Sequence, residues 1–206
     1  EACLLAPLVY QACYRSNTSG VFKGFHNGWG GQTGTALYRI AGDLRLVRPA
    51  FFDNGLINEV FREDAQALAG RLASQRQEIE IAYLDPPYNQ HPYGSNYHVL
   101  NSVVLWDKPE LSRRIARGSK AAIRLDWRTE RRSAYNYRDE AAAAYRRLLE
   151  TIDARFILTS YSTDGMVPLD ELLRCNVGRG RVSVEMQGYK RYRVSSQRYS
   201  KKPMNV

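Results

Sequence analysis

The chain has 206 residues, 44% hydrophobic and 25% charged, which allows one sizeable buried core. No apolar run reaches the length that spans a bilayer, so a transmembrane helix is excluded. Thirty Lys and Arg against 21 Asp and Glu leave a net charge of +9, a balance that favours a polyanionic partner, nucleic acid first. Cys3, Cys13 and Cys175 form an odd set without metal spacing, and the three histidines are scattered. Reduced thiols in a cytoplasmic protein, with no metal site and no membrane partner, are therefore expected.

Residues 2–14 read as an apolar helix already under way, with Pro7 as a kink. From Arg15 to Gly42 the chain turns polar, glycine-rich and aromatic. Asn17, Thr18, Lys23, Phe25, His26, Asn27 and Trp29 offer donors, a cation and rings, which suits contacts to nucleic-acid backbone and base edges. Gly28, Gly30, Gly31 and Gly34 follow no hydrophobic strand, so this segment is expected to be a loop. Leu44 to Pro49 is expected to be a short edge strand ended by the proline. A helix is expected from Ala65 to Gln75, with Leu68 and Leu72 on one face and Asp64 placed to cap it.

The most informative stretch is Ile79-Glu-Ile-Ala-Tyr-Leu-Asp85-Pro86-Pro87-Tyr88-Asn89. Its first six residues predict a buried parallel strand. Two prolines then end it, since neither has an N–H and each fixes its own φ. A carboxylate, a fixed carbonyl and an aromatic ring thus sit at the carboxyl end of a strand, where open α/β sheets bind ligands. An exocyclic amine on a base is a poor nucleophile because its lone pair is delocalised. Two acceptors, the Asp85 carboxylate and the Pro86 carbonyl, could hold it and raise its electron density, while Tyr88 stacks the flipped ring. A plain proline turn with Asp85 as a cap is the structural alternative.

Asn89 to Ser95 is expected to be a polar loop over this site, followed by a helix from Tyr97 to Trp106. Between Arg113 and Arg147 lie eleven Lys or Arg against four Asp or Glu, interleaved with Trp127, Tyr135 and Tyr137. This stretch, including Arg131 and Arg132, reads as a phosphate track, loop-like until a helix from Asp139 to Ile152. A strand over 155–159 delivers Ser160-Tyr-Ser-Thr-Asp-Gly165 to the same sheet edge as Asp85. A helix opens at Leu169, a strand is expected over 181–185, and the tail is basic, with Lys190, Arg191, Arg193, Arg198, Lys201 and Lys202.

Tyr83-Leu-Asp-Pro-Pro-Tyr-Asn89 followed by Tyr93-Gly-Ser-Asn-Tyr-His98 resembles the Dam-related bacterial DNA adenine-N6 methyltransferases, with Asp85–Tyr88 as their motif IV. So do Ser16 to Phe25, Ser160 to Gly165 and Tyr189 to Arg193, in order along nearly the whole chain. The resemblance implies an α/β, Rossmann-like methyltransferase fold that depends on S-adenosylmethionine, with a mainly parallel sheet. It implies a site-specific enzyme of a bacterial restriction-modification system that methylates N6 of adenine in double-stranded DNA, beside a cognate restriction endonuclease. Asp85, Pro86, Pro87 and Tyr88 become the catalytic set, and Asp64, Ala65, Asp85 and Pro87 the cofactor contacts. Residues 57–62 become the strand that delivers Asp64 to the amino group of the cofactor's adenine. DNA contacts fall on Asn17, Thr18, Lys23, Asn89, Tyr93, Asn96, Tyr97, His98, Arg131, Arg132, Lys190, Arg191 and Arg193. Residues 1–56 form a helical and loop segment that contacts DNA, and residues 57–206 a partial catalytic core. The family's glycine-rich cofactor loop has no match here and is expected before Glu1, with a further strand after Val206, so the fold is expected to be incomplete at both ends. Two rival readings stay open: an inactive DNA-binding fragment, and amino methylation of another base or of RNA. A restriction endonuclease is disfavoured, because no Asp/Glu…Glu-x-Lys pattern occurs.

Overall fold

The computed structural model describes residues 2–18, 20–26, 28–31, 34, 37–111, 124–189 and 204–205. In chain order the elements are α1 (Ala2–Tyr14), α2 (Leu37–Ile40), α3 (Ala65–Ser74), β1 (Ile79–Leu84), α4 (Tyr93–Asn96), α5 (His98–Leu105), α6 (Arg138–Thr151), β2 (Ala154–Thr159), α7 (Leu169–Val177), β3 (Gly188–Tyr189) and β4 (Met204–Asn205). Short 3-10 turns lie at Asp126–Arg128 and Ala134–Asn136. The chain divides into two compact units, one of residues 1–56 with 93–132 and one of 57–92 with 133–206. No helix among the described residues is long and apolar enough to cross a membrane.

The second unit is a mixed α/β body built on β1 and β2. These pair in parallel, with Ile79 opposite Ala154 and Leu84 opposite Thr159. One face of the pair, through Ala82, Leu84 and Ile157, packs on the helices. Ile81, Tyr83, Phe156 and Leu158 on the other face are exposed. Helix α6 supplies the core. Ala141, Ala144, Tyr145, Leu148 and Leu149 recur at helical spacing and are all buried, which is the stripe an amphipathic helix turns inward. Asp139 and Glu140 in its first turn meet the positive end of the helix dipole. Helix α3 is capped by Asp64, whose side chain accepts from the N–H groups of Gln66 at 2.9 Å and Ala67 at 3.1 Å. It joins α6 through Gln66 Nε2, which donates to Thr151 Oγ1.

The expected helices form within one to four residues of their limits. Three expected strands, over 44–49, 57–62 and 181–185, do not. Each stays outside any sheet among the described residues, and Ile57 and Val60 are 95% and 96% exposed. A helix closes its hydrogen bonds within itself, whereas a strand exists only where a partner presents a matching row of donors and acceptors. A short apolar run does not supply that partner. The expected loop over 89–95 contains the start of α4. The only other sheet among the described residues is the antiparallel pair β3–β4, two residues long in each strand.

In the first unit, residues 17–26 and 93–99 are tied together around Phe22, which is 3% exposed. The N–H of Phe22 donates to the Asn96 carbonyl at 2.6 Å, and the Phe22 carbonyl accepts from Val99 N–H at 3.4 Å. Most of this unit's other buried side chains are polar. Arg124, 7% exposed, donates to both oxygens of Asp107 at 3.0 and 2.7 Å, to Ser102 at 3.2 Å and to Asp126 at 3.1 and 2.5 Å. Hydrogen bonding to Arg124 holds the Asp126 carboxyl below the usual carboxylate range, against the opposing effect of burial.

Candidate active site

Strand β1 ends where Pro86 and Pro87 remove two consecutive N–H groups. The turn that follows is anchored through its carbonyls. Leu84 accepts from Ser160 N–H at 2.9 Å, and Tyr88 from Met166 N–H at 3.0 Å. Asn89 accepts from Asn136 Nδ2 at 2.7 Å. The Asn89 side chain closes the turn locally by accepting from His91 N–H at 2.9 Å.

The 160–167 loop that supplies two of these bonds leaves the carboxyl end of β2, on the sheet edge shared with Asp85. It is packed tightly. The Tyr161 ring occupies the space where a Cβ on Gly165 would lie, so that position excludes any larger residue. The Tyr161 hydroxyl accepts from Val167 N–H at 3.1 Å, and Ser162, Met166 and Val167 are buried.

Beside the turn, inside the same unit, lies a cavity of about 620 Å³. Asp64, Ala65, Asp85, Pro86 and Pro87 line it, with Leu84, Ala144 and Leu148 as apolar wall. Every residue expected to touch the cofactor is therefore on one cavity. Asp64 uses one carboxylate oxygen, Oδ1, for both helix-capping bonds, and Oδ2 has no hydrogen bond among the described residues. One side chain can thus cap the helix and keep a second oxygen for another donor. Tyr88 is not part of the wall. It lies beyond the cavity, 41% exposed.

Tyr135 and Arg147, expected as part of the phosphate track, also line this cavity. Burial, reinforced by the Asp64 charge, pushes the Tyr135 phenol up to about 12, against the lowering effect of Arg147. It stays a protonated hydroxyl at neutral pH. The i,i+3 spacing from Ala144 could have flagged Arg147, whereas nothing local marks Tyr135.

The expected DNA-contact residues divide into two kinds. Tyr93 is 66% exposed, with its ring 5.7 Å from that of Tyr97, and Arg131 and Arg132 are exposed. Asn17, Thr18 and His98 are engaged within the fold. The Asn17 carboxamide donates to the carbonyls of His26 at 3.3 Å and Gly28 at 2.8 Å, and accepts from Gly30 N–H at 3.0 Å. That closes the 26–30 loop, in which Gly30 has a φ of +79° and would place a Cβ 2.9 Å from the Gly34 carbonyl. Thr18 is 2% and His98 3% exposed, and the His98 ring meets the Lys23 carbonyl at 3.1 Å. Lys23 and Asn96 are half-buried, each with its carbonyl in these bonds. Asn27, Lys190, Arg191, Arg193, Arg198, Lys201 and Lys202 lie outside the described residues.

Comparison with known proteins bears on this arrangement. The family described as D12 class N6 adenine-specific DNA methyltransferase matches residues 2–127. The chain is 32% identical over 171 residues, 83% of its length, to the type II methyltransferase M.FokI of Planomicrobium okeanokoites. It is 31% identical over 170 residues, 82% of its length, to the modification methylase StsI of Streptococcus sanguinis. It is 27% identical over 192 residues, 93% of its length, to the type II methyltransferase M.NlaIII of Neisseria lactamica. The chain spans 23% of the length of the first two and 51% of the third. No solved structure matches it.

Proposed function

The chain belongs to the D12 class of N6 adenine-specific DNA methyltransferases, and from that premise we propose that the whole protein methylates N6 of adenine at a specific site in double-stranded DNA. The proposal extends to a bacterial restriction-modification system with a partner endonuclease, as the names of the modification methylases it resembles suggest. The observation that carries it is the cavity that unites Asp64 with the Asp85-Pro86-Pro87 turn.

The methyl donor in this reading is S-adenosylmethionine. The cavity's volume of about 620 Å³ lies within the roughly 300–1,000 Å³ typical of small-ligand sites. Its chemistry also fits a nucleoside, with a carboxylate acceptor at Asp64 facing an apolar wall. Asp64 and Ala65 would hold the adenine end, and Asp85 and Pro87 would border the reacting end. When bound, the donor supplies an electrophilic methyl group. The Asp85 carboxylate and the Pro86 carbonyl accept from the N6 amine of the flipped adenine, fixing its orientation and increasing electron density on nitrogen. Tyr88, outside the cavity and partly exposed, stacks the base.

This reading includes a Rossmann-like sheet extending beyond the parallel pair β1–β2. It assigns residues 1–56 to DNA contact and 57–206 to the catalytic core. Tyr93, Tyr97, Asn89, Arg131, Arg132, Lys190, Arg191 and Arg193 are its direct DNA contacts. Asn17, Thr18, Lys23, Asn96 and His98 shape the surface that meets DNA.

The test is transfer of a tritiated methyl group to DNA by the full-length protein, with the product base identified after hydrolysis. N6-methyladenine is expected from the wild type, and none from Asp85→Ala, which still binds DNA. A near-normal rate for Asp85→Ala would refute the assignment. Methylation of another base, or of RNA alone, would instead place the chain on a different substrate.

A further inference from the structure

The Asp85–Tyr88 turn contains two consecutive residues without an N–H, so it has few means of holding its own shape. The structure fixes it from outside at Leu84, Tyr88 and Asn89. Two of these three ties come from main-chain groups of the 160–167 loop. The third comes from a side chain, Asn136, which is 7% exposed and 47 residues along the chain from its acceptor. Its backbone is held in turn, because Asn136 N–H donates to the Ser133 carbonyl at 3.1 Å. The short turn Ala134–Asn136 thus places Tyr135 in the cavity wall and the next residue beneath Asn89.

We propose that Asn136 is a positioning residue for base capture: its buried carboxamide fixes the Asn89 carbonyl, so that the base-holding turn is pinned at its carboxyl end as the 160–167 loop pins the rest. The proposal rests on the reading of Asp85–Tyr88 as that turn. Asn136 does not line the cavity, and neither does Tyr88, so its loss acts first on the Tyr88 end of the turn, away from the cofactor contacts at Asp64 and Ala65. Small displacements matter in such a site, where misplacement by about 1 Å can cost on the order of a hundredfold in rate.

Asn136→Asp keeps the shape and turns a carboxylate oxygen toward a carbonyl that needs a donor. The full-length protein would be compared in three measurements: single-turnover methylation, S-adenosylhomocysteine affinity by calorimetry, and fluorescence of 2-aminopurine at the target base. The expected result is a methylation rate lower by about ten- to a hundredfold and a weakened 2-aminopurine signal, with cofactor affinity within about twofold of wild type. Should Asn136→Asp not fold, Asn136→Ala, which places no charge against the carbonyl, is read the same way. Wild-type methylation and fluorescence in the folded variant would overturn the proposal. So would a parallel loss of cofactor affinity and melting temperature, which marks general unfolding. Asp85→Ala in the same assays separates the two levels. If it is inactive while the Asn136 variants are normal, only the positioning role falls. If it methylates normally, the underlying reading of the turn falls instead.

Discussion

The two units of this chain are stabilised by different chemistry. In the second, the buried side chains are Ala69, Ala141, Ala144, Tyr145, Leu148, Leu149, Ile152, Met166, Val167, Leu172 and Cys175, with Asn136 and Ser162 as buried polar residues. In the first, Phe22 is the buried apolar residue among those described, and Thr18, Ser95, His98 and Arg124 are the buried polar ones. One unit is an apolar core with a few satisfied polar groups. The other is a set of helices and loops whose buried groups are mostly polar, held by hydrogen bonds and an ion cluster around the buried Arg124. An apolar core tolerates small errors in geometry, because its attraction is non-directional. A polar one does not, because each unsatisfied group keeps its full desolvation cost.

The largest test of this contrast is Arg124→Ala. It strands Asp107 and Asp126 without their shared cation; breaking a fully buried ion pair typically costs about 3–5 kcal/mol, an upper bound here because the side chains of Asp107 and Asp126 are 34% and 22% exposed. All three tryptophans, Trp29, Trp106 and Trp127, lie in the first unit, so tryptophan fluorescence should show the lowered transition. In the second unit Leu149→Ala removes a side chain that is 1% exposed. A cost of about 2–5 kcal/mol is expected, read by circular dichroism of the helices. If Arg124→Ala leaves the fluorescence transition in place, the ion cluster is not what holds the first unit.

Acid should act on the same cluster, less severely. The folded-state value of Asp126 is depressed by Arg124. The stability it contributes is therefore fully present above the unfolded aspartate value of about 3.9 and is lost as pH falls through the lower folded value. A fluorescence titration from neutral to strongly acid pH should show the tryptophan environment failing in that window. In Asp126→Asn this contribution to the acid transition should disappear.

Asn17→Ala is the mildest change. It leaves the carbonyls of His26 and Gly28 and the N–H of Gly30 without their common partner. Loop closure should weaken by about 1–3 kcal/mol, partly offset by solvent because the loop is only half-buried. Faster proteolysis within residues 26–31, with the helices of the second unit unchanged, is the expected readout. An unchanged cleavage pattern would mean that the glycine geometry alone sets the loop.

The residues that signalled function in the sequence belong to one continuous stretch. Asp85, Pro86, Pro87 and Tyr88 can be read together because proline removes N–H groups and stops a strand wherever it occurs. Helices α3, α5, α6 and α7 were legible for a similar reason: a period of 3.6 is a local property, and Asp64 marks a cap by its own chemistry. The three expected strands that did not pair show the limit of such reading. Residues 57–62 have an apolar character that suits a strand, and no sheet among the described residues takes them in.

What the sequence determined by itself was therefore local: the proline turn, the helical faces, the cap and the basic balance. Tertiary structure decided which distant groups meet. Tyr135 and Arg147 joined Asp64 on one cavity, Asn136 came beneath Asn89, and Asn17 and His98, expected at a DNA surface, were drawn inward to hold loops. The physical reason is directional. Apolar burial is written in a repeating pattern along the chain. A side-chain hydrogen bond depends on two groups, here 47 residues apart for Asn136 and Asn89, arriving within about 3 Å at the right angle, and no local pattern encodes that meeting.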